Sequence, residues 1–145
     1  MEKSTQEHLS RFNYLFGETE AAYHEASVRL GCSDSAMKIL YAVCDNGGSC
    51  PLPTIRRRSG LSKQTMNSAI RKLEAEGVLY LESAGARAKN ACLTVHGRAV
   101  AERTAARIQQ IEKDIFSCWS EEEMEIYLRL TEQFLIKFRE RTAQL

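Results

Sequence analysis

The sequence predicts a mainly α-helical fold with one small β-hairpin near its middle. Three observations carry that expectation. Apolar residues recur at helical spacing over most of the chain, and Ser, Thr, Pro and Gly stand where helices would start and stop. Two short runs, Val78 to Ser83 and Lys89 to Thr94, read as strands around a glycine-containing loop. The 145 residues, 43% of them hydrophobic, suffice for one main core. No stretch of about 18 uncharged apolar residues is present, and the opening MEKSTQEHLSRF has no cationic segment followed by an apolar run. A soluble, cytoplasmic chain without membrane association is therefore expected.

From His8 to Leu30, Leu9, Phe12, Phe16, Thr19, Tyr23, Ala26 and Leu30 follow one another at spacings of three and four, the stripe of a long helix that Gly31 ends. Ser33 is an N-cap for a second helix, whose buried face is Met37, Leu40, Tyr41 and Cys44 and which stops in Asp45-Asn46-Gly47-Gly48. Pro51 and Pro53 stand where a first turn tolerates missing amide donors, so a short third helix is expected over Leu52 to Ser59, closed by Gly60. Ser62 caps the fourth helix while Leu61 packs against Met66 as a hydrophobic staple. Met66, Ala69, Ile70 and Leu73 turn inward, and Gly77 is its left-handed stop. The hairpin follows, around Ala84-Gly85-Ala86-Arg87. Thr94 caps a fifth helix through Val100, Ile108, Ile111, Ile115 and Cys118. Ser120 caps a sixth through Met124, Tyr127, Leu130, Phe134 and Phe138.

Net charge is +1, but its distribution is uneven. Residues 1–53 sum to −3, residues 54–94 to +5 and residues 95–145 to −1. A basic middle between acidic flanks is what a localised polyanion site produces, although charge clusters are also common on plain solvated faces. The five cysteines, Cys32, Cys44, Cys50, Cys92 and Cys118, are odd in number and form no C-x-x-C pair, so neither a disulfide framework nor a zinc site is expected. Each reads first as a small buried apolar side chain. No cofactor or metal is implied.

Two short helices joined by a glycine-containing turn and then a hairpin make the order of a winged helix-turn-helix. With Ser62 as cap, Lys63, Gln64, Asn67, Ser68 and Arg71 fall opposite Met66, Ile70 and Leu73, on a face almost free of acids. Gln and Asn pair with adenine, Arg and Lys with guanine, and Ser and Thr with phosphate or base edges, so this face suits the major groove of double-stranded DNA. Glu74 and Glu76 come only at the far end. Arg87 and Lys89 on the hairpin can reach the minor groove or its phosphates. Arg56, Arg57 and Arg58 are consecutive on a helix and point in different directions, so at most two of them face one backbone, where phosphate contact is expected.

The stretches GLSKQTMNSAIRKLEAEGVL and LTVHGRAV, with the order of six helices, resemble the multiple antibiotic resistance regulator (MarR) family over nearly the whole chain. The resemblance implies an intertwined homodimer held by the N- and C-terminal helices, each protomer presenting one winged module. The implied division is a dimerisation helix over 1–32, the DNA-binding module over 33–98 and further dimerisation helices over 99–145. By position, Ser62, Lys63, Gln64, Thr65, Asn67, Ser68 and Arg71 carry over to the recognition helix, and Arg87 to the wing. One departure stands out: Gly85 takes the place of the family's usual Asp two residues before the wing arginine. The implied activity is transcription regulation, as a repressor on a palindromic operator. Its release by a small aromatic or lipophilic effector is also implied, with Tyr14, Phe16, Tyr41, Trp119 and Tyr127 as candidates to line the cleft. Aromatics at helical spacing are, however, more often plain core.

Independently of the resemblance, a 23-residue stripe with Phe12, Phe16 and Tyr23, and a last helix with Phe134, Leu135 and Phe138, exceed what a small monomeric bundle needs. The alternative is that both helices pack inside one protomer. Enzyme activity has little support, because His8, His24 and His96 are scattered and no nucleophile–base pairing, phosphate loop or metal spacing is present. The other competing function is a winged module used for protein contacts without DNA.

Overall fold

The computed structural model describes residues 2–145, with side chains from Ser4 onward. In chain order the elements are α1 (Glu2–Arg29), α2 (Asp34–Asp45), β1 (Ser49–Pro51), α3 (Leu52–Ser59), α4 (Lys63–Ala75), β2 (Leu79–Ser83), β3 (Lys89–Leu93), α5 (Val95–Arg103), α6 (Ala105–Ser117) and α7 (Glu121–Thr142). The mainly helical fold with a small antiparallel sheet is that of a winged helix-turn-helix. No described helix is long and apolar enough to cross a membrane.

Two compact units divide the chain after Ile108. The first is built around one core. Met37, Ile39, Leu40 and Val43 of α2 meet Ile55 of α3, Met66, Ile70 and Leu73 of α4, and Leu79, Ala91 and Leu93 of the sheet. Ala26 and Leu30, at the end of α1, pack against this cluster. Burying both Ile39 and Val43 makes α2 the central helix, apolar on a wider arc than the Met37, Leu40, Tyr41 and Cys44 face the periodicity singles out. Tyr41 and Cys44 are only half-buried. His24 of α1 ties down the start of α2, its Nδ1 lying 2.8 and 3.0 Å from the two carboxylate oxygens of Asp34.

The structure refines the expected element count in two places. The sheet has three strands in the order β1-β3-β2, all antiparallel, with Ser49 paired to Cys92 and Cys50 to Ala91 on one side and Leu79 paired to Leu93 on the other. A three-residue strand that ends in Pro51 has no room to show a period of two, which is why the sequence does not announce it. The single fifth helix expected from Thr94 to Cys118 is two helices, so that seven are present among the described residues. The division falls at buried Thr104 (φ −123°, ψ −93°), whose hydroxyl donates to the Val100 carbonyl at 2.8 Å. A threonine hydroxyl that bonds back to the preceding turn competes with the helix ladder and bends it.

The second unit, residues 109–145, consists of the rest of α6 and α7. Ser120 and Glu123 form a capping box at the head of α7, each side chain meeting the other's backbone N–H. The Ser120 amide, donating to the Glu123 carboxylate, holds that carboxyl below its ordinary range. α7 buries no residue within the chain.

Candidate nucleic-acid interface

α4 starts where it does because Ser62 supplies its N-cap. Its extended backbone (φ −65°, ψ 156°) lets Oγ accept from the Thr65 amide at 3.2 Å, while the same hydroxyl donates to Thr65 Oγ1 at 2.9 Å. Leu61, half-buried against the core, and Met66, buried, secure the turn from beneath. The helix then buries Met66, Ile70 and Leu73 and leaves Lys63, Gln64, Thr65, Ser68 and Arg71 exposed, with Asn67 half-buried. No acid stands in its first turn, so the positive end of the helix dipole adds to the Lys63 charge.

α3 ends in Gly60, which takes the left-handed conformation (φ 69°) and sends its amide back to the Arg56 carbonyl. That turn sets α3 beside the start of α4 and splits the three arginines. Arg58 pairs with Asp45 at the end of α2. Arg56 and Arg57, with Lys63 and Asn67 of α4, border a cleft between the two helices. Among the described residues, Arg56, Arg57 and Lys63 have no carboxylate partner.

The wing is the β2–β3 hairpin. Five residues, Ala84 to Ala88, join its strands; the Ala84 amide donates to the Ala88 carbonyl at 3.0 Å, and Gly85 has φ 132°. Arg87 and Lys89 are exposed on it. With Gly85 where an anchoring acid would stand, Arg87 has no ion-pair partner among the described residues.

The aromatic candidates lie in both units. Tyr14 and Phe16 on α1 are 66% and 56% exposed, Phe16 stacking on Phe12 at 5.9 Å. Tyr41 is half-buried against the core of the first unit. In the second unit Trp119 and Tyr127 meet edge to face at 5.2 Å, and Phe116 joins them at 5.4 Å from Trp119. Phe116 belongs to that cluster, and its i, i+3 spacing to Trp119 is the signal by which it could have been found. Three of the thiols, Cys32, Cys44 and Cys50, are pushed up from their ordinary value, chiefly by burial, and so are held as protonated packing groups. Among the described residues no group of three or more His, Cys, Asp and Glu could hold a metal ion.

A family model described as MarR family matches residues 30–88, from the end of α1 through the wing loop. Residues 30–88 belong to the MarR family. Solved structures extend the likeness of fold beyond that MarR-family segment. A MarR-family transcriptional regulator from Silicibacter pomeroyi is 23% identical, with 87% of this chain and 86% of that one covered at a TM-score of 0.69. MepR from S. aureus, solved with DNA, is 19% identical over 89% and 96% of the two chains, at a TM-score of 0.66. PcaV from Streptomyces coelicolor, solved with its natural ligand, is 18% identical over 85% and 90%, at 0.61. No curated protein matches the sequence. The fold is thus that of MarR-family transcription regulators throughout.

Proposed function

We propose that the chain is a sequence-specific DNA-binding transcription regulator that acts as a homodimer on a palindromic operator. The observation that carries this reading is the outer face of α4. It offers Lys63, Gln64, Thr65, Asn67, Ser68 and Arg71 with no acid in its first turn, on a helix held by its buried side. Major-groove recognition needs donors and acceptors of this kind on a rigid helix, flanked by cations for the phosphates. Arg56 and Arg57 on one side and Arg87 and Lys89 on the wing supply the cations. Ser62 is the cap, and its contribution is to aim the first turn. That MepR was solved with DNA supports the assignment by analogy of fold.

The homodimer reading rests on apolar surface. Leu9, Phe12, Phe16 and Tyr23 of α1 and Phe134, Leu135 and Phe138 of α7 are all exposed in the single chain. Side chains of this size on two helices mark an interface, which supports assigning 1–32 and 99–145 to dimerisation and 33–98 to DNA binding. Repression relieved by a small aromatic or lipophilic effector completes the reading. PcaV, of the same fold, was solved with its natural ligand, which supports an effector of this kind.

Selection of bound sequences from random duplexes tests DNA binding, symmetry and half-site spacing together. The expected product is an inverted repeat whose half-sites lie about one helical turn, roughly 34 Å, apart. Recovery of no sequence above background at low ionic strength would overturn the proposal in favour of a winged module that contacts protein.

A further inference from the structure

The cleft between α3 and α4 has a chemistry that duplex recognition alone does not require. Its volume is about 670 Å3, within the range of small-molecule sites, and its floor is apolar: Leu52 and Pro53 from α3, Leu61 from the turn and Met66 from α4. Around that floor stand Arg56, Arg57 and Lys63, with no acid among the lining residues. A DNA phosphate would use these cations and leave the floor wet. A floor of hydrocarbon under three cations fits a molecule that has both parts.

We propose that this cleft binds a phosphomonoester carrying an apolar ring or short chain, and that such a ligand competes directly with DNA. The apolar part covers the Leu52, Pro53, Leu61 and Met66 surface. The dianionic head meets the two guanidinium groups, which pair with phosphate oxygens in a forked geometry, and the Lys63 ammonium. Against these three cations a single carboxylate leaves two positive charges uncompensated, whereas a phosphate of nearly two negative charges leaves about one. Competition with DNA rests on the function proposed above, since Arg56, Arg57 and Lys63 are the same groups assigned to the operator. This site is made of different residues from the aromatic candidates for the effector, and its action needs no change of shape: ligand and duplex exclude one another from shared cations.

The test uses 1-naphthyl phosphate as probe, titrated calorimetrically into the full chain at low salt beside inorganic phosphate and 1-naphthoate. The naphthyl phosphate should bind at least about tenfold more tightly than either companion, since each lacks one of the two parts the cleft recognises. The double variant Arg56→Gln/Arg57→Gln should weaken it by about tenfold or more, whereas Arg98→Gln/Arg103→Gln, an equal loss of two charges on α5, should leave it unchanged. Saturating operator duplex should abolish the probe's binding. Equal binding of naphthyl phosphate and inorganic phosphate would remove the apolar floor from the site. Equal binding of the naphthoate would refute the phosphate assignment, and an Arg56→Gln/Arg57→Gln protein that binds normally would place the probe elsewhere. If no duplex binds but the probe still depends on both arginines, the cleft stands and the operator reading fails. Probe binding undisturbed by bound duplex leaves the operator reading intact and overturns competition.

Discussion

At Ser62 one hydroxyl both accepts from the Thr65 amide and donates to the Thr65 hydroxyl, so two residues of the polar face are occupied with starting the helix. Under the function proposed above, base reading falls to the side chains that have no such duty, and Thr65 is left to phosphate contact. Gln64 and Arg71 are exposed, two turns apart on α4; the Gln64 amide, with a donor and an acceptor, suits a bidentate contact to adenine, and the Arg71 guanidinium, with two donors, one to guanine. Gln64→Ala and Arg71→Ala should each weaken binding to the selected operator by about 1–3 kcal/mol and relax preference at one base pair, with the fold unchanged. Fluorescence anisotropy against operator and scrambled duplexes measures both effects, and equal losses on the two duplexes would assign the residue to phosphate contact. A different constraint acts at Gly97. A Cβ there would lie 1.9 Å from the Val78 carbonyl oxygen and 2.9 Å from its carbon, because α5 begins directly against the exit from α4. The clash is with backbone, which cannot rotate away. Gly97→Ala should therefore cost about 1–3 kcal/mol in urea unfolding and shift the wing relative to α4.

Within the elements, legibility followed the length of the apolar pattern and the presence of a cap. α3 and α4 were expected over Leu52 to Ser59 and Ser62 to Glu76, and they occupy Leu52–Ser59 and Lys63–Ala75, because Pro, Ser and Gly mark their ends chemically. The wing strands were legible for the same reason. β1 was not, since its order comes from pairing with β3, a partner some forty residues away. Nor was the break at Thr104, where no Gly or Pro interrupts the periodicity and a single back-bonded hydroxyl decides. The cleft between α3 and α4 was also hidden. Leu52, Pro53 and Leu61 look like caps and staples in sequence, and only the turn at Gly60 brings them under Arg56 and Lys63. The wing carries its own prediction. With Gly85 in its loop and no acid among the described residues holding Arg87, that guanidinium can follow the phosphates of any sequence. Arg87→Ala should lower affinity for operator and non-specific duplex by similar factors. A change in the sequence selected from random duplexes would instead show that the wing reads bases.

For the whole molecule the question is what the terminal helices do with their apolar side chains. α7 runs 22 residues without burying one in the chain, and Phe134 and Phe138, stacked at 5.7 Å, are both 56% exposed. Leaving that much hydrocarbon in water is unfavourable by roughly 25 cal/mol per Å2, so a second copy that covers it gains stability without any contribution from the winged module. The core from Met37 to Ile108 is independent of α7, and a charged substitution at Phe134 and Phe138 should therefore separate protomers while each keeps its fold. Phe134→Glu/Phe138→Glu is expected to sediment as a monomer where the unmodified chain is expected to sediment as a dimer, with far-UV circular dichroism largely retained. Its effect on DNA follows from counting phosphates. Each neutralised phosphate contributes about −0.9 to the slope of log Kobs against log salt, and a dimer engages two modules at once. The monomeric variant should show about half the slope of the dimer and should lose preference for an inverted repeat over a single half-site, because nothing then fixes the spacing of two recognition helices. An unchanged slope in a demonstrably monomeric variant would mean that one module makes all the contacts, and the twofold reading of the operator would fall with it.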